Sequence, residues 1–170
     1  GSLCNNHTQP SFEADKAQAV ANVQAILADK PADMIITTHV CRGNYKSSYL
    51  LTGAYDPVAD SLFGQTSYDG YFLEYDDERS GGFEPLKHFA NNKGRVVLGL
   101  ISSKFPELED KEAIKARIQE AAKYVPLEQL CLSPQCGFAS TEEGNVMTEA
   151  QQWAKVRHVE EIAKEVWGED

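Results

Sequence analysis

The sequence predicts an α/β fold built on a small parallel sheet, and three observations carry that prediction. Four strand-like apolar runs, 34–41, 70–75, 95–101 and 128–133, alternate with helical patterns. The gaps between them are long enough for crossover connections, which parallel strands require. A chain of 170 residues is long enough for one domain with a sizeable core. Strands alternating with helices imply parallel strands joined by right-handed crossovers.

Taken in order, residues 12–28 carry Ala17, Val20, Val23, Ile26 and Leu27 at helical spacing. The run MIITTHVC (34–41) is the first strand. Residues 42–56, rich in Gly, Asn and Ser, read as a loop, and Pro57 suits the first turn of a short helix through about Phe63. The second strand is 70–75, FEPLKHFA (83–90) reads as a short helix, and RVVLGLI (95–101) is the third strand. A helix over 110–122 puts Ile114, Ile118 and Ala121 on one face, and 128–133 is the fourth strand. The last helix runs over 149–167, with Thr148 and Gln151 as a capping box. Its expected buried stripe is Trp153, Val156, Val159, Ile162, Ala163 and Val166. There is no internal repeat. No Gly-rich phosphate motif follows any strand, so phosphate cradling is unsupported. The chain opens on a loop and a helix, as a piece of a longer β/α array would.

Charge and composition narrow the function classes. A net charge of −10 argues against a nucleic-acid partner, which would need clustered Lys and Arg. No apolar run approaches the roughly 18 residues of a membrane span. The N-terminus lacks the basic-then-apolar pattern of a signal peptide, and Gly1-Ser2 reads as a cloning scar. The four cysteines therefore read as free thiols or metal ligands in a reducing cytoplasm, not as a disulfide framework.

Four residues stand out by type and place: His39, Cys41, Glu74 and Cys136. Each sits at or just past the end of a strand-like run, in MIITTHVC, GYFLEYD and LCLSPQCG. Imidazole nitrogen, thiolate sulfur and carboxylate oxygen are the usual ligands of zinc. His39 and Cys41 are two apart and so share a face of a strand. The long gaps to Glu74 and Cys136 argue against a zinc finger and suit a site assembled from several strand ends. Glu74 lies within an apolar run, where a solvated charge is out of place. Asp76, Asp77 and Glu78 read as a solvated turn, Glu78 being a weaker rival ligand. Cys131 reads as core and Cys4 as a free thiol. His88 and His158 read as surface groups on helices, and His7 is uninformative. Trp153 and Trp167 fit a helix's buried stripe better than a stacking platform. Arg42, Asn44 and Ser102 line the same rim and are candidate substrate contacts.

The segments THVCRGN (38–44), FLEYDDERSG (72–81), VLGLISSK (97–104) and YVPLEQLCLSPQCGFASTEEGN (124–145) together are distinctive. The chain resembles the cobalamin-independent methionine synthase family, in particular its short, single-barrel bacterial members. The resemblance runs from about residue 12 to 168. It implies a (β/α)8 TIM-type barrel, of which residues 1–170 would be the C-terminal part, with about four β/α units. It also implies a zinc-dependent methyltransferase that moves a methyl group from N5 of methyltetrahydrofolate, usually polyglutamylated, to homocysteine, giving methionine. The family's zinc ligands fall on His39, Cys41, Glu74 and Cys136. Zinc would lower the pKa of the acceptor thiol while leaving its sulfur reactive.

The chain departs from the family in two respects. Full members are considerably longer, and the early strands that hold the homocysteine amino group have no counterpart here. Larger members also carry a proton-relaying His where this chain has Ser102. Two alternatives follow: alkyl transfer to another thiol or from another methyl donor, and a zinc-binding fragment or subunit without turnover. Part of a barrel exposes sheet edges and core, so self-association or pairing with the missing barrel half is expected.

Overall fold

The computed structural model describes residues 10–45, 48–49, 53–139 and 141–168, so Gly1-Ser2, Cys4 and His7 lie outside the described residues. In chain order the elements are α1 (Pro10–Ala28), β1 (Thr37–Val40), β2 (Asn44–Tyr45), β3 (Ser48–Tyr49), β4 (Gly70–Glu74), β5 (Arg95–Ile101), α2 (Lys111–Ala121), β6 (Leu130–Pro134) and α3 (Glu149–Trp167). Short helical turns over Asp60–Gly64 and Glu84–Phe89 supply crossovers where full helices are absent.

The main sheet has the order β1-β4-β5-β6, and every pairing in it is parallel. The α/β class and the four parallel strands are as the sequence predicts. The loop expected over 42–56 contains one addition, the small antiparallel hairpin β2–β3.

Alternate residues of the central strands build the core, and β5 is buried at every position after Arg95. Tyr71 and Leu73 of β4 and Val96, Leu98 and Leu100 of β5 join one apolar cluster with Phe63, Phe83, Leu86, Ile114, Ile118 and Ile162. That cluster lies between the sheet and its helical layer. Burying each such side chain contributes about 1.5–3 kcal/mol. Thr37, His39 and Phe72 are exposed instead. Their strand positions alternate with the core residues, which puts them on the face turned away from the helices. A sheet packed by helices on one face, with Thr37, His39 and Phe72 exposed on the other, is the form a piece of a (β/α)8 barrel takes, since that second face would line the barrel's interior.

The long C-terminal helix has the predicted limits and cap. Thr148 Oγ accepts from Gln151 N at 3.3 Å, and Gln151 Oε1 accepts from Thr148 N at 2.8 Å. Its buried stripe differs from the expectation. Lys155, His158 and Ile162 are buried, whereas Trp153 is 55% exposed and Val156 also faces solvent. The cause is Lys155: its aliphatic stem lies in the interface while its ammonium meets Glu109 Oε1 at 2.7 Å. His158, expected at the surface, is buried with Nε2 2.7 Å from the Glu109 carbonyl. Trp167 is half-buried and donates from Nε1 to the Leu127 carbonyl at 3.0 Å. Cys131, expected in the core, is half-buried with Arg95 Nη1 3.8 Å from its sulfur.

Gly99 is where β4, β5 and β6 crowd most closely at the site end. A Cβ there would meet Leu73 O at 2.5 Å and Gln135 Cα at 2.6 Å, both backbone atoms. Gly99→Ala is therefore expected to cost about 1–3 kcal/mol, as overpacking does. Chemical denaturation of the variant measures it, and an unchanged midpoint would show that the strands can part freely.

Candidate metal centre

β1 ends at Val40, so His39 lies on its last turn of pleat and Cys41 just beyond. β4 ends at Glu74, and its backbone there is capped by a side chain. The Tyr55 hydroxyl accepts from Glu74 N at 2.7 Å and donates to Glu74 O at 3.3 Å. Burial pushes the Tyr55 phenol well above its ordinary range, so the hydroxyl keeps the proton it donates. Cys136 follows β6 by two residues. Gln135, beside it, is buried: its N–H donates to Ile101 O at 2.8 Å, and its Oε1 accepts from Ser103 N at 2.6 Å. All three segments therefore deliver their side chains at the carboxyl ends of the parallel strands, where β/α folds place their chemistry.

His39, Cys41, Glu74 and Cys136 each bring one ligand atom to within 4.8 Å of the others. In a tetrahedral zinc site with bonds of about 2.0–2.3 Å, ligand atoms stand about 3.3–3.8 Å apart. The widest gap here exceeds that by about 1 Å, a contraction that side-chain rotation can supply.

The donor set and its surroundings fit a soft divalent cation. Glu74 is fully buried, at 0% exposure. Its Oε1 accepts from Asn44 Nδ2 at 2.5 Å and lies 3.7 Å from His39 Nε2. Its Oε2 has no hydrogen-bond partner among the described residues. Leaving a buried carboxylate oxygen so costs about 1–3 kcal/mol or more, and no Lys or Arg pairs with it among the described residues. A cation among these four groups removes that penalty. The Cys41 sulfur receives N–H groups from Gly43 at 3.4 Å and Asn44 Nδ2 at 3.7 Å, an environment suited to a thiolate. One imidazole, two sulfurs and one carboxylate suit zinc and do not suit calcium or magnesium.

A cleft of about 310 Å³ opens beside the cluster, lined by His39, Phe72, Ser133, Pro134, Cys136 and Gly137. A larger cleft, about 580 Å³, lies at the opposite, amino end of β4 and β5, where Asp69 and Gly94 form its wall. The smaller one adjoins the ligand cluster and is the better candidate for a reacting thiol.

The three candidate substrate contacts occupy different environments. Arg42 is buried, with Nη1 on Ser80 Oγ at 2.8 Å and Nη2 on the carbonyls of Arg79, at 2.6 Å, and Gly53. Its guanidinium also lies 5.9 Å from the Tyr55 ring centre, so it braces the residue that caps Glu74. Asn44 is buried against two of the ligand groups themselves. Ser102 is half-buried on the loop after β5, its N–H held by Glu109 Oε1 at 2.9 Å. The Asp76–Glu78 turn is less solvated than its composition suggests. Asp76 forms a buried ion pair with Lys104 at 2.7 Å, Asp77 pairs with Arg79 Nε at 2.6 Å, and Glu78 alone is exposed. Tyr55 carried no sequence signal, being one of three tyrosines in the loop over 42–56.

A sequence model of the family described as "Cobalamin-independent synthase, Catalytic domain" matches residues 1–164. Two Bacillus subtilis proteins of uncharacterised function are close relatives. YxjG is 56% identical over 146 residues, 86% of this chain and 39% of its own length. YxjH is 57% identical over 141 residues, 83% of this chain and 37% of its own. Among solved structures, a putative vitamin-B12-independent methionine synthase from Listeria monocytogenes superposes with a TM-score of 0.71 at 47% identity, covering 91% of this chain and 42% of that one. A B12-independent methionine synthase from Shewanella sp. W3-18-1, in complex with selenomethionine, gives 0.72 at 17% identity, covering 91% and 44%, a likeness of fold. The chain thus spans about two fifths of the length of the relatives it matches.

Proposed function

This chain belongs to the cobalamin-independent synthase catalytic-domain family, and on that premise we propose that it is the zinc-binding part of a methionine-forming methyltransferase. Residues 1–170 would form the C-terminal part of a (β/α)8 catalytic domain. His39, Cys41, Glu74 and Cys136 would hold the zinc. Homocysteine would be the methyl acceptor and methyltetrahydropteroylglutamate, with its polyglutamate tail, the donor. The single observation that carries this is the convergence of four zinc-type donors, one of them a fully buried carboxylate with an unpartnered oxygen.

Zinc bound there would supply a Lewis acid that lowers the pKa of a thiol and keeps the sulfur nucleophilic. The chain's own residues do the rest of the work attributable to it. Phe72 and Pro134 give the adjoining cleft apolar walls that suit the methylenes of homocysteine. Tyr55 fixes the backbone of Glu74, and Gln135 fixes the approach of Cys136. The reaction would take place in the cytoplasm. Among the described residues no helix is long and apolar enough to cross a membrane. β1 and β6 are the sheet's edges, and Ile35 beside β1 is 80% exposed, so pairing with the rest of a barrel or with another copy is part of the proposal.

A second reading is a zinc site without turnover, or one serving another thiol or methyl donor. Its support is the lining of the cleft beside the cluster, where Phe72, Ser133, Pro134 and Gly137 join the ligands and, among the described residues, no Asp, Glu, Lys or Arg stands to hold an amino acid's charged groups. The test is to load the chain with zinc, add homocysteine and methyltetrahydropteroyltriglutamate, and measure methionine by mass spectrometry. Coenzyme M and methylcobalamin serve as alternative acceptor and donor. Methionine formation that is lost in Cys136→Ser is the expected result. Methylation of coenzyme M alone would replace the substrate assignment, and no transfer by zinc-loaded chain would leave the non-catalytic reading.

A further inference from the structure

Asn44 does something other than line the rim. Gly43 precedes it in the left-handed conformation, φ 75°, which turns the chain back over Cys41. Asn44 then enters β2, where pairing with Tyr49 of β3 holds its backbone. Its side chain is buried, and its amide nitrogen faces Glu74 Oε1 at 2.5 Å and Cys41 Sγ at 3.7 Å. The direction of the amide is chemically determined. A carboxylate and a thiolate accept only, so the NH₂ end must face both. Two N–H groups meet two ligand groups, and the short contact occupies one oxygen of Glu74 while Oε2 is left without a partner.

We propose that Asn44 is the positioning residue of the centre: its amide bridges Glu74 Oε1 and Cys41 Sγ and so fixes both groups, with Oε1 3.7 Å from His39 Nε2, for the metal. The inference rests on the zinc reading above. The first N–H, on Glu74 Oε1, holds the carboxylate in one orientation beside His39. The second N–H, on Cys41, draws charge from that sulfur. Outer partners of metal ligands typically change metal affinity about 10–100-fold.

The test titrates zinc into the wild-type chain and Asn44→Leu against a chromophoric chelator, and records zinc-edge X-ray absorption of both. Leu is near in volume and donates nothing. The expected result is about 10–100-fold weaker zinc in the variant, with the short oxygen contact lengthened or lost and the sulfur count unchanged. Wild-type affinity with an unchanged oxygen shell overturns the proposal. So does weaker binding with an unchanged oxygen shell, which is what a merely structural role produces. If the Leu variant fails a thermal melt, Asn44→Thr, which keeps one hydroxyl donor, is judged by the same spectrum. A wild-type chain that takes up no zinc fails the metal reading itself, and this inference with it. That outcome is distinct from a loaded wild type matched by its variant.

Discussion

On the zinc reading proposed above, Cys136→Ser is expected to abolish stoichiometric binding of about one ion per chain. The reason is the way the site is assembled. β1 and its exit supply His39 and Cys41, the end of β4 supplies Glu74, and the segment after β6 supplies Cys136. Among the described residues Cys136 is the only candidate ligand from its side of the sheet, so its loss would leave an ion held from β1 and β4 alone. A serine hydroxyl is a hard, neutral donor in place of a soft thiolate, and zinc prefers the thiolate. The loss should exceed the roughly 10–100-fold that outer partners cost. Cys131→Ser is the control. Its sulfur sits on β6 itself, near Arg95 and away from the cluster, and zinc content should not change. Metal analysis after dialysis against chelator-treated buffer reads both variants. Zinc retained by Cys136→Ser, or lost from Cys131→Ser, would overturn the ligand assignment.

That these four side chains meet was legible in the sequence, because residue type and strand parity both speak at them. A His and a Cys two apart at a strand end, and a Glu inside an apolar run, are chemically unusual whatever the fold. β5 was equally legible, its predicted limits matching Arg95–Ile101, because an unbroken apolar run flanked by turn residues leaves little choice. The cap of α3 was legible because Thr148 and Gln151 bond locally and need no tertiary partner. Other features depend on contacts between distant segments, which spacing does not reveal. Counting apolar residues alone put Trp153 and Val156 inside and left Lys155 and His158 outside. The partner that reverses this, Glu109, lies far away in sequence. Asp76 read as solvated because it stands among other acids, yet Lys104 draws it into a buried pair. Tyr55 and Asn44 took their roles from where their loop folds over the ends of β1 and β4, and the hairpin that directs Asn44 has strands of two residues, too short for any pattern.

The pair that shifts α3 gives the second large effect. Glu109→Gln is expected to cost about 3–5 kcal/mol, as does stripping the counter-ion from a buried charge. Lys155 has 0% side-chain exposure, whereas Glu109 keeps 22%. The damage should therefore be unequal. Without the Glu109 charge, the Lys155 ammonium is stranded in an interface it cannot leave. Lys155→Met leaves Glu109 with the Ser102 N–H and a side chain 22% exposed, although its Oε2 is buried without a partner among the described residues, and should cost less, about 1–3 kcal/mol. Glu109→Leu with Lys155→Met should recover much of the loss, because an apolar pair of similar bulk replaces both charges. Urea denaturation of the four proteins closes this cycle. Equal losses from the two single variants would mean that α3 opens enough to hydrate Lys155. The pair also bears on the candidate site. Glu109 holds the Ser102 N–H, Asn145 holds the Ser103 carbonyl at 2.6 Å, and Ser103 N–H donates to Gln135, the neighbour of Cys136. Loosening Glu109 should thus slacken the loop that sets Cys136, so Glu109→Gln should weaken zinc binding as well as stability. Lys155→Met, which leaves the Ser102 contact in place, should weaken zinc binding less.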